Sequence, residues 1–290
     1  MKDGRLRWSR LGERLGSIDR RVVFAFVAAV VIVPFFLPLN ILGRVSPEAQ
    51  RLFDAVERIR PNDKPLMISV DFDPQSMPEL YPMLEATLRH AFAREVRVVV
   101  IALWVTGVGL GELALNTVAP EYDRTYGEDY AFLGWKPGFS AVVLGMGRSI
   151  PETYPTDHYD TPVDDLPLMH RVRNYDDIPL VISLSAGDPG ALTLWIPYVQ
   201  SRFGQELGTG MTAVSAADAY PFLQSGQLVG LLGGMKGAAE YEFLMRERGY
   251  TDAATPAIQA MDSQSMAHLA IILLIVLGNL SFVLTRREKK

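Results

Sequence analysis

Two long apolar runs, one near each end of the chain, limit its fold more than any other feature. The first extends from Val22 to Leu42 and the second from Met266 to Leu284, and neither contains Lys, Arg, Asp or Glu. About twenty such residues in a helix cross the hydrocarbon layer of a bilayer. The sequence therefore predicts two transmembrane helices, over residues 22–43 and 265–285.

The basic residues outside these runs predict the orientation of the chain in the membrane. Residues 1–21 carry 7 Lys or Arg against 3 Asp or Glu, and residues 286–290 carry 4 against 1. Basic tails remain on the cytoplasmic side of a membrane. We therefore expect both termini in the cytoplasm. Residues 44–264 are then expected on the other side of the cell (inner or plasma) membrane, in the periplasm or outside the cell. A cleaved signal peptide is the weaker interpretation of the first run, because no small-residue cleavage site follows it.

Composition excludes several classes of function. Residues 22–284 carry 17 Lys or Arg against 29 Asp or Glu, which argues against a nucleic acid partner. The chain has no Cys, and this excludes disulfides, a thiol nucleophile and thiolate metal ligands. The expected partners are the lipid bilayer and either further copies of the chain, in a homo-oligomer, or other subunits of a membrane complex.

Between the two apolar runs, strand patterns alternate with helical patterns. Five strands are predicted, over residues 66–72, 97–104, 141–146, 178–185 and 210–214. Their near-continuous apolar content is typical of parallel strands that are covered on both faces. The alternation predicts a three-layer, Rossmann-like α/β domain with a mainly parallel sheet.

Capping residues mark the predicted helix starts. Four helices are predicted from such signals, beginning at Ser46, at Ser76 (in a capping box with Glu79), at Asp188 and at Ser215. The first three extend to about residues 60, 92 and 203. Residues 148–179, which are rich in Pro and Asp, are predicted to form a long loop, and loops of this length are usually functional or bind partners.

Asp71 and Asp73 lie at the carboxyl end of the first predicted strand, where open α/β sheets bind ligands. This DxD pattern resembles the first motif of haloacid-dehalogenase-like phosphatases, in which one Asp attacks phosphate and the next is the acid/base. The resemblance implies that Thr106 and Lys236 supply the next two motifs. The chain departs from that pattern at Pro74-Gln75 and in its acidic pairs, which precede the Lys: Asp164/Asp165 and Asp176/Asp177. An Asp that caps a turn at a strand end is the commoner meaning.

Other motifs give little support for a cofactor, a metal or catalysis. Gly107, Gly109 and Gly111 follow a strand, but their spacing differs from the dinucleotide fingerprint and predicts a tight turn instead. His158 and His170 lie among aspartates, yet their spacing matches no zinc or manganese ligand pattern. We therefore expect no cofactor, no metal and no catalytic residues.

Two sets of residues remain as candidates for binding. A ligand at the carboxyl ends of the strands would meet Asp71, Asp73, Ser185 and Gly187. The second set recurs every fourth residue, which on a helix forms a small-residue stripe: Gly226, Gly230, Gly234 and Ala238. Such a stripe admits close packing, either within the domain or at an interface between subunits. A third alternative is that Gly233-Gly234 breaks the helix and that the stretch is a loop.

Three functions follow from these patterns. The favoured one is a membrane-anchored, non-enzymatic structural or scaffolding subunit of an oligomeric membrane complex. The second is a membrane-tethered, receptor-like domain that binds a small molecule. The third is a tethered metal-dependent phosphatase or other hydrolase that uses Asp71 or Asp73.

Overall fold

The computed structural model describes residues 18–37, 44–252 and 255–286. The chain divides into two compact units, residues 43–257 and residues 1–42 together with 258–290. The larger unit holds the sheet and its helices. The smaller one holds the apolar helices.

The larger unit is built on six parallel strands. They are β1 Leu66–Asp71, β2 Val98–Ala102, β3 Tyr130–Trp135, β4 Val181–Ser185, β5 Leu207–Met211 and β6 Gly230–Gly233. Their order across the sheet is β3-β2-β1-β4-β5-β6, and every neighbouring pair is parallel. The predicted Rossmann-like α/β fold with a mainly parallel sheet is confirmed. This order is that of doubly wound sheets, in which the chain reverses its direction of travel between β1 and β4.

Helices follow the strands along the chain. In the larger unit they are α2 Pro47–Glu57, α3 Met77–Ala93, α4 Gly107–Val118, α5 Phe139–Met146, α6 Ile150–Thr153, α7 Ala191–Gln200, α8 Ala213–Ala216, α9 Tyr220–Gln224 and α10 Gly234–Glu247. Helix α7 has π-helical hydrogen bonding and continues as a short α-helical turn, Ser201–Phe203. The amphipathic helix predicted after Ser46 is α2, with Leu52, Phe53 and Val56 buried.

Both faces of the sheet are covered, because successive side chains of each strand point to opposite sides. On one face, Met67 and Val99 pack in a cluster with Val142 of α5 and Leu194 of α7. On the other face, α4 lies so close that a Cβ built on Gly111 would contact the Phe132 ring at 3.4 Å. The domain therefore has three layers.

The third strand differs from its prediction. Residues 141–146 lie in helix α5, and β3 forms instead from Tyr130–Trp135, a segment without strand alternation. A short apolar run such as residues 141–146 has no periodicity that separates a strand from a buried helix. Gly138, with φ +108°, redirects the chain after β3 and lets α5 begin at the next residue.

The predicted helix through Gly226, Gly230, Gly234 and Ala238 is also wrong. Gly230–Gly233 forms β6, and α10 begins only at Gly234, so the four residues share no helical stripe. The break at Gly233-Gly234 is present, but the stretch before it is a strand rather than the loop of that alternative. Gly226 (φ +76°) lies in a turn, and Ala238 is buried within α10. Gly230 lets α2 approach the sheet, because a Cβ there would lie 2.5 Å from the Leu52 nitrogen.

The helix predicted from Ser76 begins at Met77 as expected but lacks its capping bond, and two other predicted helix starts are displaced. Ser76 makes no capping bond; its Oγ donates to Asp73 Oδ1 at 3.3 Å, while Glu79 accepts a bond from the Ala213 N–H at 2.7 Å. Helix α7 begins at Ala191, after Gly190, rather than at Pro189. Ser215 lies inside α8, which begins after Thr212.

The predicted long loop is an ordered part of the core. Between Arg148 and Pro179 the chain forms α6 and the 3₁₀ turns Val163–Asp165, Pro167–Arg171 and Tyr175–Asp177. Ile150, Met169 and Tyr175 are buried in the same cluster as Val142. Tyr175 also donates a hydrogen bond to the Val143 carbonyl at 2.8 Å.

The smaller unit contains the two apolar runs. Helix α1, Arg20–Phe36, has 17 residues, and residues 38–43, to which the first predicted span extends, lie outside the described residues. Helix α11, Pro256–Arg286, has 31 residues. Over Pro256–Thr285 it is the one helix among the described residues that is long and apolar enough to cross a membrane. The structure thus supports one of the two predicted spans. The two helices are in contact, since the Ser263 hydroxyl of α11 donates a hydrogen bond to the Val31 carbonyl of α1 at 2.8 Å.

Candidate site at the carboxyl edge of the sheet

The reversal point between β1 and β4 is where doubly wound sheets bind ligands. Asp71 ends β1 and Ser185 ends β4, and the two residues are paired in register. The structure thus brings together two of the predicted ligand-binding residues. Their surroundings decide whether a ligand reaches them.

The carboxylate of Asp71 is enclosed and fully bonded. Ser69 Oγ lies 2.7 and 2.8 Å from its two oxygens, and the Leu103 N–H donates to Oδ1 at 3.0 Å. Ser183 Oγ and the Trp195 Nε1–H donate to Oδ2 at 3.2 and 3.3 Å. Asp71 is 0% exposed. Its bonds tie β1 to the end of β2, to β4 and to α7.

Burial raises the pKa of Asp71 to about 6, although the four donor groups around it favour the charged form. The removal of water from a carboxylate disfavours ionisation, and here that effect outweighs the hydrogen bonds. A carboxylate with such a pKa is suited to acid/base chemistry only where substrate reaches it. No route to it is open here.

Two tryptophans fill the space beside Asp71. Trp195 of α7 is fully buried, and Trp104, in the turn after β2, donates from Nε1 to the Pro189 carbonyl at 2.7 Å. A Cβ built on Gly187 would lie 3.9 Å from the Trp104 ring. The crevice at the reversal point is therefore occupied by the protein's own side chains.

Asp73 and Ser185 support local structure. Asp73 Oδ1 accepts bonds from the N–H groups of Gln75 and Ser76, both at 3.1 Å, which is the turn-capping role. Ser185 Oγ accepts a bond from the Ala191 N–H at 3.3 Å and so holds the start of α7. Both side chains thus serve the turns beside them.

The other residues that the phosphatase resemblance implies are dispersed. Thr106 precedes α4, after β2, whereas Lys236 lies on α10, after β6, and pairs there with Glu240. Strands β1, β4 and β5 separate these positions in the sheet. Asp177 lies beside Lys64 and Arg97, which precede β1 and β2, at the opposite edge of the sheet. No phosphatase constellation forms around Asp71.

An open cleft of about 300 Å³ lies beside this closed crevice, at the carboxyl end of β3. Its walls come from the end of β3 and from the segment after α6. The lining residues are Leu133, Gly134, Trp135, Lys136, Tyr154, Pro155, Thr156, Asp157, His158 and Asp160. The cleft thus combines aromatic rings with an ammonium group, two carboxylates and two hydroxyls.

Tyr154 is the unusual member of this lining. The residue is 3% exposed, and its hydroxyl has no hydrogen-bond partner among the described residues. Burial raises its pKa well above the usual value, so the hydroxyl keeps its proton. Lys136 Nζ lies 5.8 Å from the centre of the Tyr154 ring and donates to the Thr153 carbonyl. A buried hydroxyl without a partner is costly, and a bound acceptor would remove that cost.

A β-bulge shapes the opposite wall of the cleft. Val100 pairs with Phe132 but Ile101 pairs with Gly134, so Leu133 is an extra residue in β3. Gly134 has φ +74°, and a Cβ there would lie 3.2 Å from two atoms of the His158 side chain. The glycine therefore permits the close approach of His158. Bulges at strand ends commonly re-aim side chains beside functional sites.

Asp157 holds the segment that forms the cleft. Its carboxylate is buried and accepts bonds from the Tyr126 hydroxyl at 2.5 Å and from the N–H groups of Tyr159 and Thr161, both at 2.8 Å. Burial and this carboxylate raise the pKa of Tyr126 far above its usual value, so its hydroxyl remains a donor. Because these hydrogen bonds join neighbouring groups of the protein, Asp157 holds the wall of the cleft in position.

None of the sequence patterns predicted the cleft. Trp135 and Lys136 belong to no predicted strand or helix, and His158 lies in the predicted long loop. The available signal was Trp135-Lys136 directly before Pro137-Gly138, a turn after an aromatic strand. His170 lies apart, exposed in the Pro167–Arg171 turn. Within the described ranges, no three His, Asp or Glu side chains gather in a way that could hold a metal ion.

Comparison with known proteins adds no assignment to this geometry. No protein-family model, no curated protein and no solved structure gives a significant match to the chain.

Proposed function

We propose that this chain is a membrane-anchored domain that binds a small polar molecule in the cleft at the carboxyl end of β3. The observation that carries the proposal is Tyr154, a residue of the cleft lining whose hydroxyl is itself buried and has no hydrogen-bond partner among the described residues. Native proteins rarely leave such a group unsatisfied. A ligand oxygen would complete its hydrogen bonding.

The lining indicates what kind of molecule fits. The Tyr154 hydroxyl and the Lys136 ammonium group supply donors, while the exposed Asp160 supplies acceptors. Trp135, 40% exposed at the mouth, offers a flat surface for the apolar face of a ring. This combination suits a polyhydroxylated or carboxylate-bearing compound of a few heavy atoms up to one ring. A cleft of about 300 Å³ is at the lower end of the range for small-molecule sites.

Binding without chemistry is the version that the geometry supports. Asp71, whose pKa lies nearest to neutral among the described carboxylates with a resolved shift, is sealed from solvent. The acidic and basic residues expected of a phosphatase are dispersed. The hydrolase interpretation therefore has no support from the site.

Membrane anchoring is proposed from the apolar helices. Helix α11 is long enough to cross a bilayer, and α1 would require part of residues 38–43 to do the same. With the basic tails at 1–21 and 286–290, this gives two spans, cytoplasmic termini and an extracytoplasmic domain. Cysteine labelling at engineered sites in both tails and in the domain would test this topology. Modification of all three from one side would contradict it.

The binding proposal is tested with the full-length protein in a neutral detergent. Monosaccharides, amino acids and small carboxylic acids are screened for a rise in melting temperature and for a change in tryptophan fluorescence. For any compound that binds, Tyr154→Phe should weaken affinity about tenfold through the loss of one buried hydrogen bond. The same substitution should leave the ligand-free protein at least as stable, because the hydroxyl has no partner to lose.

Tyr198→Phe is the matched control, because Tyr198 is an exposed tyrosine on α7, away from the cleft lining. Its affinity for the compound should equal that of the unsubstituted protein. If no compound shifts either signal, or if Tyr154→Phe binds as tightly as the control, the proposal is wrong.

A second candidate function is that of a structural subunit in a membrane complex. Its support is a set of exposed apolar side chains in the segments after β2, β3 and β5: Val105, Phe139 and Val214, with Val214 89% exposed. Exposed apolar residues grouped at one edge are typical of protein contacts. The native mass of the protein in mild detergent, with identification of co-purifying proteins, tests this function. A monomer without partners would contradict it.

A further inference from the structure

A second cavity lies at the amino edge of the sheet, opposite the cleft. Its volume is about 200 Å³, and it is bordered by the residues that lead into β1 and β2 and by the Pro167–Arg171 turn. Three of the lining side chains are cations, Lys64, Arg97 and Arg171. The proposed function does not use this cavity.

Two of these cations form no ion pair in the part of the chain that the structure describes. The guanidinium groups of Arg97 and Arg171 make no ion pair and no side-chain hydrogen bond there. Lys64 Nζ donates to a neutral group, the Asp176 carbonyl, at 2.6 Å. Arg97 is half-buried, so its charge is less screened than that of a surface arginine.

Two aspartates also border the cavity, and they do not neutralise it. Asp177 Oδ2 accepts a bond from the Arg173 N–H at 2.8 Å, which turns that oxygen toward its own 3₁₀ turn. Asp63 is exposed. With three cations against two carboxylates, the lining keeps a net positive charge, although residues 22–284 carry 12 more acidic than basic side chains. Positive charge held together in an acidic domain indicates a site for an anion.

We infer that this cavity binds a phosphate-type oxyanion through Arg97, Arg171 and Lys64. Guanidinium groups match the geometry of tetrahedral and planar oxyanions with paired N–H donors, and Lys adds a point charge. A volume of about 200 Å³ admits a phosphate group with a small substituent but not a nucleotide base and sugar. The anion can be free phosphate, a soluble phosphate ester or the headgroup of a phospholipid, since all present the same oxygens.

The test uses the full-length protein in a neutral detergent at constant ionic strength, with chloride as the reference salt. Inorganic phosphate is titrated, and the melting temperature is recorded. At a phosphate concentration ten times the Kd, binding should raise the melting temperature by about 3–6 °C above that of the protein in chloride. In a parallel arm, short-chain phosphatidic acid replaces phosphate, with phosphatidylcholine as its control. A stronger effect of phosphatidic acid than of phosphate assigns the site to a lipid headgroup, and the reverse assigns it to a soluble anion.

Arg97→Gln and Arg171→Gln should each raise the Kd about tenfold or more, because each removes charge-assisted bonds. Arg173→Gln is the matched control: Arg173 lies two residues from Arg171, pairs with Asp164 at 2.8 Å and does not line the cavity. Arg171 is exposed, so its substitution should leave folding intact even if Arg97→Gln does not fold. If neither phosphate nor phosphatidic acid stabilises the protein, or if Arg173→Gln weakens binding as much as Arg171→Gln, the inference is overturned.

Discussion

Ser46 donates a hydrogen bond from Oγ to Glu240 Oε2 at 2.6 Å, and its N–H donates to Oε1 of the same carboxylate at 3.2 Å. Glu240 lies on α10, is 2% exposed, and pairs with Lys236 one turn earlier. The lysine of this pair is exposed, whereas its glutamate is buried. Glu240 fixes the point where the chain enters the domain.

A second buried glutamate holds the point where the chain leaves it. Glu242 is 5% exposed, and its Oε1 accepts a bond from the N–H of Ala257, the second residue of α11. A carboxylate at that position satisfies one of the free N–H groups of the helix start and interacts favourably with the helix dipole. Helix α10 thus carries anchors for both ends of the domain.

Replacement of Glu240 by Ala should lower the free energy of unfolding by about 2–4 kcal/mol, because the Ser46 hydroxyl and N–H lose a charged acceptor. Urea unfolding of the full-length protein in neutral detergent measures the change. Glu247→Ala, at an exposed position of the same helix, is the control and should change the free energy by no more than about 0.5 kcal/mol. Equal effects of the two substitutions would contradict a role for Glu240 as an anchor.

Asp71 should make the domain less stable as the pH rises from about 4 to about 6. Burial raises its pKa from 3.8 to about 6, so the folded state favours the protonated acid. The resulting stability is complete below pH 3.8 and is lost as the pH passes through 6. The free energy of unfolding falls by about 3 kcal/mol over this pH range. Urea unfolding at several pH values measures the effect. Between pH 4 and pH 7 the free energy of unfolding of Asp71→Asn should rise by about that much relative to the unsubstituted protein. If the two proteins show the same pH dependence, the pKa of Asp71 is not shifted.

His90 should act in the opposite direction. It is fully buried, stacks on Phe53 with ring centres 4.1 Å apart, and its Nδ1 lies 2.8 Å from the Tyr241 hydroxyl. Burial lowers its pKa to about 4, against the attraction of Glu57, so the folded state keeps the neutral ring. The stability is present above pH 6.5 and is lost as the pH falls toward 4, by about 3 kcal/mol.

The substitution His90→Phe should remove this loss while the ring stacking persists. The difference in unfolding free energy between the unsubstituted protein and the variant is then largest above pH 6.5 and shrinks by about 3 kcal/mol at pH 4. Because Asp71 titrates equally in both proteins, it cancels from the difference. A pH-independent difference would show that His90 is not held neutral.

The glycines of the chain should differ sharply in their tolerance of a methyl group. In Gly230→Ala the new Cβ would lie 2.5 Å from the Leu52 nitrogen and 2.7 Å from the Glu48 carbonyl oxygen, so the backbone of α2 would have to move. We expect destabilisation by about 1–3 kcal/mol. Gly109→Ala, in the first turn of α4 with no atom within 4 Å of the built Cβ, should instead stabilise by up to about 0.5–1 kcal/mol. Thermal unfolding of both variants checks the contrast, and equal shifts would refute it.

Strands with strong apolar content could be predicted from the sequence. Residues 66–72, 97–104 and 178–185 contain β1, β2 and β4, three of the four interior strands, and the residues of these three are all buried. Strand β3 was missed because it lies at the edge of the sheet and carries a bulge at Leu133, which destroys alternation. Strand β6 was missed because two of its four residues are Gly, which carry no hydrophobic signal.

The candidate site was less predictable than the fold. The position of Asp71 and Ser185 at neighbouring strand ends follows from the order of strands and helices alone. That Trp104 and Trp195 close the crevice depends on rotamers and on the π-helical course of α7, which no local pattern encodes. The cleft beside β3 depends on residues 20 apart, Gly134 and Tyr154, that meet only in the folded chain.

Glu240 and Glu242, two residues apart on α10, hold both ends of the domain. The domain is therefore arranged like one that has been inserted into another chain. Both ends are held to one short segment of α10, so a linker peptide can join Ala257 to Ser46 around that helix. New ends can then be opened at the exposed turn around Gly226, where nothing lies within 4 Å of a built Cβ. Such a circular permutant would run from β6 through α10 into α2 and keep every strand pairing of the sheet.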